Sequence, residues 1–190
     1  MPPRIRGWRS ALIGAAALAL FILIAAALAI ALGIYNFGAD APHWHIVRSV
    51  IAYAVDRSVD ARADDVAVPG NLNDPNRIAN GASDYDAMCT GCHLAPGLKD
   101  NEMRPGLYPH PPELAKFPAD DPAEQFWIVK HGIKMSAMPA WGKTHSDDEI
   151  WNMVAFLQKL PRLSAQQYQS LVKSAEGHHG HDGMDMGMGH

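Results

Sequence analysis

The chain has 190 residues, a formal charge of −4 and a sequence pI of about 6.2. That balance argues against nucleic acid as a partner. The length allows one ordinary domain with additions, and one run near the N-terminus inflates the 48% hydrophobic content.

Residues 1–10 are a basic end carrying Arg4, Arg6 and Arg9. Residues 11–35 are almost wholly apolar and uncharged. A helix of that length, at about 1.5 Å per residue, crosses a hydrocarbon core of roughly 30 Å. The competing reading is a cleaved signal peptide, whose apolar core is usually about 7–15 residues. The longer run in this chain predicts a retained transmembrane anchor. The arginines before it predict a cytoplasmic N-terminus and place the rest of the chain outside.

Residues 36–74 read as a juxtamembrane helix and a linker. Over Ala41–Arg62, Trp44, Val47, Ile51, Val55 and Val59 recur at helical spacing, with Pro42 in the first turn. This helix either packs on the following domain or lies on the lipid bilayer. Val68 to Pro75 is turn-rich. A globular domain is expected over residues 75–163. Asn76–Met88 predicts a helix, and Gly81, which costs about 1 kcal/mol there relative to Ala, marks close approach by another helix. Pro105, Pro109, Pro111 and Pro112 forbid a regular helix and predict a loop. Asp121-Pro122 opens the next helix and Gly132 stops it. Ser146 to Glu149 is a capping box opening the last core helix, which carries Trp151 and ends by Pro161. A short helix is expected over 164–176. The tail, 177–190, has no apolar periodicity and is expected to be disordered until bound. No strand pattern occurs, so the fold expected is all-α.

Cys89-Thr90-Gly91-Cys92-His93 contains the only two cysteines. Two thiols at this spacing suit covalent attachment of one haem c, and the following histidine suits the iron. A dithiol redox motif should follow a strand in a βαβ unit, and a structural zinc site needs further cysteines or a close histidine pair; neither pattern is present. The sixth position of the iron is either open, as in a catalytic or gas-binding haem, or filled by a sulfur, for which the candidates are Met88, Met103, Met135, Met138 and Met153. Met138 is favoured, because Pro139 stiffens its loop, and Met135 is the rival.

Cys89–His93, then Met138-Pro139-Ala140-Trp141, then a helix with Trp151, resembles the small class I monohaem cytochromes c over residues 76–161. The resemblance implies that His93 and Met138 are the axial ligands. It also implies that Gly81 and Tyr85 cross the Trp151 helix, and that the Pro105 carbonyl accepts a bond from His93. Trp141 donates to a haem propionate in that family, although ordinary packing explains it equally well. The anchor and the His43-Trp44-His45 segment resemble membrane-anchored periplasmic cytochromes of Gram-negative bacteria. Together the two resemblances imply a single-pass inner-membrane electron carrier, not itself an enzyme, with its haem domain in the periplasm. A quinol–cytochrome c reductase is implied as donor, and a haem–copper oxidase or copper enzyme as acceptor. The haem subunit of a larger oxidoreductase is an alternative.

The tail carries His178, His179, His181 and His190 with Met184, Met186 and Met188. Thioethers suit Cu(I) and imidazoles suit Cu(II), so copper binding is the second expectation. The competing reading is a soluble tail with incidental metal affinity.

Overall fold

A computed structural model describes residues 7–117 and 121–179, and among these the regular elements are all helical. The chain divides after Ala41 into two compact units.

The first unit holds α1, Gly7–Ala31. Trp8–Ala31 is long and apolar enough to cross a membrane, and none of it is buried within the protein. The helix ends four residues before the expected boundary. Gly33 adopts φ +62°, and the Ile34 amide bonds back to the Ala29 carbonyl, which turns the chain out of the helix.

The second unit begins with α2, His45–Ala63. It starts later than the expected Ala41, so Pro42 lies outside it. His43 is held elsewhere, its amide donating to the Tyr108 hydroxyl at 3.2 Å. α3 spans Pro75–Met88 and α4 spans Thr90–His93, followed by α5 at Pro122–His131, α6 at Asp147–Leu157 and α7 at Ala165–His179. Their starts follow local chemistry. Asp74 and Asp121 each accept a backbone amide bond at 2.8 Å, with proline in the first turn. Ser146 and Glu149 bond each other's amides, as do Ser164 and Gln167.

The core lies where α3 crosses α6. A Cβ on Gly81 would stand 1.9 Å from the Asn152 carbonyl oxygen, so the backbones meet with no side chain between them. Tyr85 packs its ring on Phe156 at 5.2 Å. Arg77 closes the edge of the crossing, bonding Asn152 at 2.9 Å and Asp148 at 2.6 Å. α7 packs on α3 through Tyr168, Val172 and Ala175, one buried face of the helix. The Tyr168 hydroxyl bonds the Asp86 carboxylate. α7 runs to His179, past the expected end near residue 176.

The capping box gives a pH expectation. Bonds from Ser146 hold the Glu149 carboxylate below its ordinary pKa. A lowered carboxylate stabilises above its unfolded pKa, and that support is lost as pH falls through the folded value. Glu149→Gln is therefore expected to reduce the loss of thermal stability between about pH 5 and pH 3, measured by circular dichroism.

Candidate haem site

α3 runs straight into the cysteines. Cys89 caps α3 and starts α4, and the amides of Cys92 and His93 both bond to the Cys89 carbonyl, at 3.1 and 2.8 Å. The motif is thus one helical turn. Three residues apart on a turn is the same face, so both thiols line one cavity with His93. The exit is fixed by Leu94 at φ +57°, whose carbonyl accepts the buried Tyr85 hydroxyl at 2.6 Å. Both cysteines are free and half-buried. Burial, followed by the nearby Asp84 and Cys92, pushes the Cys89 thiol up to about 12. A redox dithiol needs the opposite shift, toward a thiolate at neutral pH.

The His93 Nδ1 lies 2.9 Å from the Pro112 carbonyl oxygen. A carbonyl only accepts, so Nδ1 carries the proton and Nε2 keeps its lone pair, the form a metal requires. Burial, chiefly, lowers the ring's pKa, which favours the neutral form. The carbonyl is not that of Pro105, as expected from sequence. Pro105 sits exposed in a 3₁₀ turn, Arg104–Gly106, and the loop travels on before it returns to the histidine.

Arg104 brings that loop back. It is only 3% exposed, its Nε donates to the Cys92 carbonyl and its Nη2 to the Pro111 carbonyl, both at 2.9 Å. Asn101 adds a bond to the Gly91 carbonyl at 2.6 Å. Sequence reasoning missed Arg104 and Pro112. Four prolines within a few residues offered no spacing rule that selects one of them, and nothing marks an arginine as bound for the interior.

The far wall follows α5. Gly132 stops that helix at φ +65°, and a Cβ there would lie 2.6 Å from the Met138 carbonyl oxygen. The Ile133 amide bonds to that same oxygen at 3.2 Å. The Ser136 hydroxyl donates to Ile133 and accepts from the Met138 amide. This small ring of bonds presents Met138, half-buried, to the cavity. Of the other sulfurs, Met135 is 82% exposed and Met103 54% exposed, while Met153 is in the core. Met88 also lines the cavity but directly precedes Cys89. Trp141 lines it too, its ring edge against His145 at 5.4 Å.

The cavity measures about 260 Å³ and its walls are mainly apolar. Two thiols, an imidazole with a free Nε2 and a thioether fit a covalently held haem. Of the copper candidates, His178 and His179 fall at the end of α7, where side chains are not described, and His181, Met184, Met186, Met188 and His190 lie outside the described residues. Among the described residues no group of three or more His, Cys, Asp and Glu side chains is placed to hold a bare metal ion.

The family model for cytochrome c oxidase, cbb3-type, subunit III matches residues 76–157. No curated protein and no solved structure matches the chain. The matched span includes the thiol turn, Met138 and the α3–α6 crossing. The match supports a class I c-type cytochrome domain over residues 76–157, the kind of domain that holds haem c for electron transfer.

Proposed function

We propose that this protein is a membrane-tethered electron carrier whose haem is held by thioethers to Cys89 and Cys92 and by axial bonds from His93 and Met138. The observation that carries this reading is one cavity lined by all four side chains. The bound group supplies one-electron chemistry at its iron. The protein's own residues orient it. Pro112 fixes the His93 ring, the bond ring of residues 133–138 holds the thioether, and the apolar walls exclude water. Such fixed ligands move little between oxidation states.

Arg4, Arg6 and Arg9 before the apolar helix support a cytoplasmic N-terminus and a periplasmic haem domain in the inner membrane. The matched family's name, that of an oxidase subunit, supports a place at a cytochrome c oxidase as partner or haem subunit; the donor proposed is a quinol-oxidising complex. On this reading the chain passes electrons and turns over no substrate alone.

The test is maturation of the full chain in a host that attaches haem c. Wild type should keep haem after denaturation, and Cys89→Ala/Cys92→Ala should lose all of it. Met138→Ala should lose the His/Met signature in magnetic circular dichroism, and its ferrous form should bind carbon monoxide stoichiometrically. Persistence of the signature in that variant rejects Met138 as the ligand.

A further inference from the structure

α2 has two dissimilar halves. Its second half packs on α5: Val59 and Ala63 are buried, and the Asp60 carboxylate lies near Glu124 and helps to raise its pKa. Its first half leaves apolar side chains in solvent, with Ile46 69%, Val50 61% and Tyr53 68% exposed. These three follow i, i+4, i+7 spacing and so share one face. Trp44, just before the helix, and Ile51, on another side of it, are also exposed. In sequence this helix either packs on the following domain or lies on the bilayer, and its apolar stripe through Trp44, Val47, Ile51, Val55 and Val59 does not include Ile46, Val50 or Tyr53.

Charge divides along the helix in the same way. From Trp44 to Val55 the only Asp, Glu, Lys or Arg is Arg48, whereas Asp56, Arg57, Asp60 and Arg62 crowd the remainder. A face of two aliphatics and a tyrosine, on a half-helix with a tryptophan just before it, one cation and no carboxylate, suits the headgroup boundary of a bilayer. The chain also supplies proximity. Residues 32–44 join α1 to α2 and reach at most about 45 Å when fully extended, so even weak interfacial affinity is exercised at high effective concentration.

We propose that the first half of α2 lies in the interface of the bilayer that α1 crosses, through Ile46, Val50 and Tyr53. The proposal rests on α1 being a retained anchor. Its consequence reaches the cavity. His43, just before α2, bonds Tyr108 at 3.2 Å and sets its ring against it at 5.2 Å. Pro109 and His110, next in the chain, line the haem cavity. A seated α2 therefore fixes the height of that loop at the membrane surface, where a membrane-embedded redox partner presents its own site.

The test uses full-length haem-loaded protein in lipid nanodiscs. Thioether attachment uses both native thiols, so Val50→Cys, Ala61→Cys and Leu18→Cys each carry one nitroxide label. Relaxation by oxygen and by a water-soluble nickel chelate is read by electron paramagnetic resonance. The expected result is several-fold greater accessibility to oxygen than to nickel at positions 18 and 50, and the reverse at 61. Nickel-dominated relaxation at 50, with 18 still in lipid, overturns the proposal and leaves the anchor standing. Protection at 50 from both reagents also overturns it, in favour of a protein or second-copy contact. An aqueous position 18 overturns the anchor and the proposal together.

Discussion

Gly81→Ala is expected to lower unfolding free energy by about 2 kcal/mol, although alanine is the better helix former. Two effects oppose each other. Removing glycine from a helix interior gains about 1 kcal/mol. Against that, the new Cβ would stand 1.9 Å from the Asn152 carbonyl oxygen and 2.4 Å from its carbon, both backbone atoms that no rotamer change moves. The helices must separate, and forced overpacking costs about 1–3 kcal/mol, occasionally more. At Gly81 it disturbs the closest backbone contact between the two helices, so the upper end applies. Gly81→Val should lose about 4 kcal/mol or more. Gly106→Ala is the control, because nothing lies within 4 Å of its Cβ, and it should stay within about 0.5 kcal/mol of wild type. Denaturant titration followed at the Tyr and Trp near-ultraviolet bands measures all three. A neutral Gly81→Ala would mean that the crossing is looser than described.

Arg104→Ala is expected to cost about 2–5 kcal/mol and to disorder the histidine side of the cavity. Two carbonyls, of Cys92 and Pro111, lose their donor. Each buried acceptor left unsatisfied costs about 1–3 kcal/mol. The ion pairs with Asp100 at 3.3 Å and Glu113 at 3.9 Å contribute less, because Asp100 is half exposed and is solvated when released. Arg104→Lys should recover only part of the loss, since a single ammonium does not reproduce the guanidinium fork between two carbonyls. Besides denaturation, the readout is the imidazole-sensitive region of the absorption spectrum. A structural role remote from His93 would leave it unchanged, whereas loss of the loop carrying Pro112 should broaden it.

The sequence made legible what short-range chemistry determines. Asp121-Pro122 and the Ser146/Glu149 pair each mark a helix start by a local bond, and both are seen; Asp74-Pro75 opens α3 in the same way, although in sequence it falls in the turn-rich linker. Gly81 was legible because its cost in a helix demands a reason. Illegible were features set by how a loop returns. Pro112 rather than Pro105 meets His93 because Arg104 ties residue 111 back to residue 92, a closure that no periodicity encodes. The division of α2 was hidden for a related reason. One apolar stripe was legible in it, and only packing against α5 shows that the two halves face different surroundings.

The α3–α6 crossing has a kinetic consequence. Gly81 and Asn152 touch, yet the whole thiol turn, proline loop, α5 and methionine loop lie between them in the chain. Closing a loop of that length costs roughly 4 kcal/mol of chain entropy before any contact repays it. A bridge joining Cys92 to Met138 would shorten the open stretch and recover roughly 1 kcal/mol, about a fivefold gain in the chance of the two helices meeting. The two ends of the domain should therefore pair faster in loaded chains than in empty ones, with the prosthetic group acting as a splint during folding.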